Sequence, residues 1–429
     1  MTATPSSVDQ GVGATVKLLH SADIHVDSPL RGLSRSADAP VDELRGATRR
    51  AVENLVDLAV TEEVACLLIA GDLYDGDRDD YDTAIFLNRQ FSRLVNAGVK
   101  VVIAYGNHDA ASEITKRLRP PSGVHILGHL QPETITFDDV GLAIHGQSYE
   151  KRVVTEDLSA AYPTPISNLL NIGVLHTALT GRPNHDTYAP CTPEGLRARG
   201  YDYWALGHVH EREVIVADNQ YIVFPGNLQG RHARETGPKG ATLIHIDDDR
   251  ISAIEHHSLD DVRWELLKID ASGAVDVDEV CVRITDAAAL ATSDDNKLYA
   301  LRVEIVGATS AADALVSERD SWEAQLRGDL AGAGNRLWLE KVVLATTRPG
   351  ARPAMSSKAL EAVEQAIDRL SEDPAGLQDI ARVFDPLRTK LGADQTVLAE
   401  LDTTTLDASG LRSVLEDVRE LLLADLGEF

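Results

Sequence analysis

Ala65-Cys66-Leu67-Leu68-Ile69-Ala70-Gly71-Asp72-Leu73-Tyr74-Asp75 decides how this 429-residue chain folds. A short apolar run that breaks at once into Gly and carboxylates reads as a buried strand with polar residues at its exit. Two neighbours repeat the pattern: Val16 to Leu19 upstream and Val99 to Tyr105 downstream. Glu43 to Val60 lies between the first pair, with Leu44, Ala47, Ala51, Leu55 and Leu58 at helical spacing. Thr83 to Asn96, carrying Ile85, Phe86, Arg89 and Leu94, predicts a second helix. The order βαβαβ predicts a layered α/β domain.

Further β-rich runs follow between His125 and His256, and the later ones are separated by turn residues rather than helices. They predict a second sheet with antiparallel pairing, packed on the first with helices outside. The pattern restarts at Trp264: strand, helix within Val275 to Thr292, strand Leu298 to Val306, helix within Ala311 to Leu326, strand Leu337 to Leu344. That is a small α/β capping module. Arg348-Pro349-Gly350-Ala351-Arg352-Pro353 reads as a linker. Two amphipathic helical stripes come after it, Leu360 to Leu370 and Leu411 to Leu422. The expected organisation is a disordered N-terminus at 1–15, a two-sheet α/β domain at 16–262, the capping domain at 263–347, and a linker with C-terminal helices at 348–429.

The chain has 41 Lys plus Arg against 68 Asp plus Glu, a formal net charge of −27. Such a balance argues against holding nucleic acid or an anionic membrane by bulk electrostatics, so binding of that kind needs a local patch. Cys66, Cys191 and Cys281 are too few and too widely spaced for a disulfide framework or a thiolate zinc site. With no secretory leader and no membrane-length apolar run, a soluble cytoplasmic protein is expected.

Five motifs stand at or just after the ends of apolar runs, where open α/β sheets place ligand groups. They are Asp23-Ile24-His25, Gly71-Asp72-Leu73-Tyr74-Asp75, Gly106-Asn107-His108-Asp109, His176 after Gly173-Val174-Leu175, and Gly207-His208-Val209-His210. Each alone is weak. Together they offer oxygen and nitrogen donors without thiolates, a set suited to manganese, iron or zinc in open coordination.

This ordered set resembles the signature of the calcineurin-like metallophosphoesterases. The opening Leu18 to Leu30 and the segment Phe224-Pro225-Gly226-Asn227-Leu228-Gln229-Gly230-Arg231-His232, with trailing Glu235 and Gly237-Pro238-Lys239-Gly240, look like the DNA-repair exonuclease branch of SbcD- and YhaO-type proteins. The resemblance implies a two-sheet sandwich with two divalent ions per chain, manganese foremost and iron or zinc as alternatives. Asp72 would bridge them. Asp23, His25 and His210 would complete one ion's ligands, and Asn107, His176 and His208 the other's. His108 would act as general acid, with Asp109 orienting it and Asp75 beside the ligands rather than among them. Break-repair nucleases of the eukaryotic and archaeal type usually carry His at the place of Asp75, so exonuclease polarity and the balance with endonuclease cleavage stay open. The resemblance further implies DNA as substrate, an SMC-like ATPase gripped by the C-terminal helices, a homodimer, and no membrane.

Arg231, His232 and Arg234, with Lys239, form a candidate phosphate-binding segment whose bland alternative is a solvated loop. Lys116, Arg117 and Arg119 are a second basic cluster, equally explicable as a solvated helix end. From Thr346 onward nine basic face sixteen acidic residues, a poor DNA binder but a plausible partner arm. No G-x-x-x-x-G-K-[ST] loop is present, so ATP-driven opening is expected from another polypeptide. Two other readings remain: the same metal site acting on a small nucleotide or phosphoprotein, and a non-catalytic scaffold for an ATPase.

Overall fold

The computed structural model describes residues 15–28, 39–75, 81–111, 120–179, 188–292, 297–332, 336–349, 367, 369 and 373. Apart from Ile367 and Arg369, the C-terminal helical stripes fall outside them, as do the Lys116-Arg117-Arg119 cluster, His185 and the N-terminal 14 residues. Residues Met1–Thr346 form one compact unit and Thr347–Phe429 a second.

Within the first unit, β1 (Val16–Ser21), β2 (Cys66–Ala70) and β3 (Lys100–Ala104) are parallel neighbours. The connecting helices are α1 (Val41–Thr61) and α2 (Tyr81–Asn96). α1 buries Leu44, Ala47, Ala51, Leu55 and Ala59, a stripe at intervals of three and four residues, and carries Asp42 and Glu43 at its positive end. α2 turns differently from the sequence expectation. It buries Ala84, Leu87, Phe91 and Leu94, whereas Ile85 is exposed, because the stripe facing β3 begins one residue earlier.

β4 (Val124–Ile126), β11 (Gly240–Asp247) and β12 (Arg250–Ser258) complete the first sheet in the order β12-β11-β1-β2-β3-β4. The second sheet runs β5-β6-β7-β8-β10-β9. Its strands are β5 (Glu133–Phe137), β6 (Leu142–Gly146), β7 (Leu170–His176), β8 (Tyr203–Gly207), β9 (Glu213–Ala217) and β10 (Gln220–Phe224). The antiparallel expectation for this sheet needs correction. Only its outer pairs, β5 with β6 and β9 with β10, are antiparallel. β6, β7, β8 and β10 run parallel to one another. The β9–β10 turn at Asp218 and Asn219, both at positive φ, makes a local hairpin, but β10 then inserts beside β8 and leaves β9 at the edge. The last two expected strands join the first sheet rather than extending the second, β11 against β1 and β12 against β11.

The inter-sheet core contains Leu18, Leu68, Val102, Ile144, Ile172, Val174 and Val223. α1 and α2 close the far side of the first sheet. Five parallel strands, β1, β2 and β3 of one sheet and β7 and β8 of the other, thus end on one rim. The rim is tight. A Cβ at Gly207 would lie 1.8 Å from the Ala70 carbonyl oxygen and 3.0 Å from the Ala22 Cβ. Gly207→Ala is therefore expected to cost about 3 kcal/mol of stability, the upper range for overpacking. Thermal melting beside the parent checks this, and an unchanged midpoint would contradict it.

A third sheet, β13-β14-β15, comprises β13 (Val262–Asp270), β14 (Leu298–Ala308) and β15 (Arg336–Thr347). One face packs on α4 (Val277–Ala291), α5 (Ala312–Ser317) and α6 (Arg319–Gly332) through Ile284, Leu301, Val303, Leu315, Trp322 and Leu326. The single helix expected within Ala311 to Leu326 is two, interrupted at Glu318, where the backbone leaves helical geometry. Asp276 caps α4 by accepting from the Glu279 N–H at 2.9 Å. On the opposite face Trp264, Ala300 and Trp338 meet Leu44 and Ala47 of α1 and Ala233. The tryptophans are core residues.

Candidate metal centre

Each strand exit turns sharply to bring its polar residue over the rim. Asp23, His25, Asp72 and His208 all adopt positive φ, costly for residues with a side chain and tolerated where the surroundings over-determine them. Backbone pairing supplies that determination. Asp23 N donates to the Gly71 carbonyl and His25 N to the Asp72 carbonyl, each at 3.0 Å, lacing the β1 exit to the β2 exit. At Gly71, φ is 91° and a Cβ would meet His176 Nδ1 at 2.2 Å, so this position accepts only glycine.

Three overlapping triads result: Asp23, His25 and His210; His25, Asp72 and His108; Asp23, Asp72 and His176. In each, one ligand atom per residue lies within 4.8 Å of the others. Asp72 Oδ2 sits 3.4 Å from His176 Nε2 and 3.7 Å from His25 Nε2, while Oδ1 accepts from the His108 N–H at 3.0 Å. Asn107 Oδ1 is 2.9 Å from His176 Nε2. His208 belongs to none of the triads. Its ring stands edge-on to His176 at 5.2 Å, and its N–H donates to both Asp23 oxygens at 2.9 and 3.0 Å.

The donor set fits divalent cations. His25 Nε2 and His210 Nε2 face each other at 3.3 Å. The other nitrogen of His210 lies 2.7 Å from Glu235 Oε1, and that of His25 lies 3.6 Å from Asp75 Oδ1. His210 Nδ1 thus faces a carboxylate acceptor within hydrogen-bond distance and carries the proton, which turns its Nε2 lone pair toward His25 Nε2; a proton on His25 Nδ1, on the Asp75 side, would let both Nε2 lone pairs converge beside Asp23 and Asp72. Convergent lone pairs and buried carboxylates are what a cation satisfies. Burial, reinforced by the Arg231 charge, pushes His25 down to about 3, which keeps it neutral. Burial opposes the charge on His176 too, but Asp72 beside it outweighs that and lifts it to about 9. A proton there stands in for cationic charge.

His108, at the start of α3 (Asn107–Ala111), is half-buried, with Nδ1 3.1 Å from Asp75 Oδ1. Burial lowers its pKa, but Asp75 and Asp72 more than compensate and the net shift is upward. Asp109, expected to orient His108, is engaged with backbone amides. Asp109 is buried and accepts from the N–H groups of Leu73, Tyr74 and Gly106, holding the β2 and β3 exits together. Burial, with Asp72 nearby, raises it to about 7. The carboxylate against His108 is Asp75, itself fixed by a 2.7 Å bond from Ser28 Oγ.

The basic segment divides. Arg231 turns inward, its Nη2 3.3 Å from His210 Nδ1 and its Nη1 3.4 Å from Ser28 Oγ. His232, with its side chain 56% exposed, and Arg234 face solvent. The five motifs give Glu235 no role. In the sequence it stands out as the one carboxylate in an otherwise basic, glycine-rich segment, among the residues that carry the family resemblance.

The sequence pattern of the calcineurin-like phosphoesterases matches residues 16–212. The chain carries a calcineurin-like phosphoesterase domain. Every residue of the three triads lies inside that match. After this phosphoesterase domain, residues 264–347 match the middle domain of the metallophosphoesterase YhaO. The chain is 37% identical over 259 residues to YhaO of Bacillus subtilis strain 168, covering 60% of this chain and 63% of that one. It is 26% identical over 292 residues to the DNA double-strand break repair protein Mre11 of Methanopyrus kandleri, covering 60% of each. It is 32% identical over 123 residues to a subunit of the nuclease SbcCD from Rhodobacter capsulatus, covering 27% of each. The chain thus spans less than two thirds of these relatives' own length.

Proposed function

We propose that this phosphoesterase domain hydrolyses phosphodiester bonds in DNA, as the metal-dependent nuclease subunit of a repair complex in the cytoplasm. The observation that carries the reading is the convergence of the His25 and His210 lone pairs beside two buried carboxylates, on a rim that also presents His108. The names of the Mre11 and SbcCD relatives supply the choice of DNA.

Asp23, His25 and His210 would hold one divalent ion, Asn107, His176 and His208 a second, and Asp72 would serve both. Manganese suits the donors, with iron and zinc as competitors. When bound, such a pair lowers the pKa of water and neutralises phosphate oxygens. His108, its Nδ1 proton held by Asp75, turns Nε2 toward the site and donates there to the departing alkoxide. Arg231 meets a phosphate oxygen; His232 and Arg234 lie further out along the strand. On this reading 16–262 is the nuclease domain, 263–347 the capping domain, and 348–429 the arm that engages an SMC-like ATPase. A homodimer is part of the same proposal.

Cleavage of end-labelled linear and hairpin DNA by the full chain, with manganese, magnesium or chelator, tests it. Manganese-dependent products absent from an Asp72→Asn control are expected. Intact DNA even with the ATPase partner, alongside hydrolysis of a chromogenic phosphodiester, would overturn the DNA assignment. The net charge of −27 favours that second reading, a small nucleotide or phosphoprotein substrate.

A further inference from the structure

We propose that Glu235 is a positioning residue that adds to the inequality of the two cation positions, by fixing the His210 imidazole and the Arg231 guanidinium with one carboxylate. The inference rests on the metal-centre reading above.

Glu235 is buried, in the segment between β10 and β11. Its Oε1 lies 2.7 Å from His210 Nδ1 and 3.4 Å from Arg231 Nη2. Its Oε2 accepts from the Arg231 N–H at 2.7 Å and from Asn227 Nδ2 at 3.0 Å. Burial alone would raise its pKa; the His210 hydrogen bond and the Arg231 charge hold it well below the usual carboxylate range. A carboxylate with all its acceptor directions taken in this way cannot rotate without breaking several bonds.

Two consequences follow for the centre. Accepting from Nδ1–H fixes the His210 tautomer with the Nε2 lone pair toward His25 and Asp23, and makes the imidazole a stronger donor. On the other side of the centre the corresponding partner of His176 Nδ1 is the Ala70 carbonyl, a neutral acceptor, at 3.0 Å. The ion held by Asp23, His25 and His210 is therefore the tighter one: Glu235 adds to the asymmetry that the Asp23 carboxylate, set against the neutral Asn107 amide, already gives. The second consequence concerns substrate. Arg231 reaches Ser28, which donates to Asp75, the carboxylate against His108. One buried group thus aims both a metal ligand and the cation nearest the acid.

The His210 main chain has separate support. Lys239 Nζ and Asn227 N both donate to its carbonyl, at 3.0 and 3.3 Å. Loss of the Glu235 charge should accordingly turn the ring without moving the strand exit. Glu235→Gln is the informative variant. Its amide oxygen must serve the Arg231 and Asn227 donors, which leaves the amide N–H groups toward His210 Nδ1. The tautomer then flips and places a proton on Nε2.

Calorimetric titration of the metal-free chain with Mn2+, for the parent, Glu235→Gln and Glu235→Asp, tests the proposal. The parent should bind two ions with distinct affinities. In Glu235→Gln the tighter one is expected to weaken by about 10- to 100-fold, with the other unchanged, and Glu235→Asp should restore part of the loss. Melting in chelator should show Glu235→Gln still folded, which separates positioning from collapse. Two ions bound by Glu235→Gln as by the parent would overturn the role of Glu235. A parent that binds no Mn2+ would overturn the metal centre itself, and this inference with it.

Discussion

Asp72→Asn is expected to lower phosphodiester hydrolysis by at least about three orders of magnitude, roughly 4 kcal/mol at about 1.36 kcal/mol per decade. Asp72 takes part in two of the three triads, and both of its oxygens are engaged. Oδ2 stands between His176 and His25, and Oδ1 accepts the His108 N–H. An asparagine can keep the second contact through its oxygen, but its amide group then presents N–H donors to the two histidines. The negative charge that makes this point attractive to a dication is gone, and affinity should fall at both positions. Initial rates on a chromogenic phosphodiester and on duplex DNA, with Mn2+ titration, check both halves. A rate within tenfold of the parent would remove Asp72 from the centre.

His108→Gln should reduce kcat by about 10²- to 10⁴-fold, the range for a positioned general acid, with KM and metal content near the parent values. The contact that matters to the rest of the centre is made by the His108 backbone, whose N–H holds Asp72, and that bond survives the substitution. The side chain is half-exposed and leans on Asp75, so it is accessible to a substrate while its Nδ1 is fixed. Asp75→Asn should produce a smaller loss in kcat together with weaker metal binding, because Asp75 Oδ1 faces His108 Nδ1 at 3.1 Å and His25 Nδ1 at 3.6 Å. Single-turnover rates with saturating metal provide the measurement. A kcat within threefold of the parent for His108→Gln would take the acid role away from it.

Much of this arrangement is legible in the residues themselves. The buried strands β1, β2 and β3 are apolar runs cut off by glycine and carboxylates, and a strand exit is where such side chains must emerge. Local sequence says less about partners distant along the chain. The hairpin turn at Asp218 and Asn219 is readable, but the insertion of β10 beside β8 rests on matching Ile222 and Val223 to Trp204 and Ala205, a choice made by the packed sheet. The same limit applies to the carboxylate that meets His108. Asp109 is adjacent in sequence, yet the turn into α3 points it back to the amides of Leu73 and Tyr74. Asp75, 33 positions upstream of His108 (108 − 75), arrives from the β2 exit. The part played by Glu235 is hidden for a related reason: its importance comes from the fold of its segment around His210, and no motif spacing records that.

The strand order of the first sheet also bears on how the chain is made. β1 leaves the ribosome well before β11, yet one of its two edges pairs with β11. Thr15 and Asp247, bonded at the mouth of that pairing, are 232 positions apart. At about 5–20 residues per second, roughly 10–45 s pass before β11 is synthesised. Throughout that interval Val16-Lys17-Leu18-Leu19 has at least one unpaired, apolar edge, the kind of surface that seeds association between nascent chains. The last histidine of the centre, His210, emerges only slightly earlier than β11, so a cation cannot rescue the half-made domain. Holding the early segment apart, by chaperone or by lower temperature, is therefore expected to raise the folded yield, measured as soluble protein, more than adding metal to the growth medium.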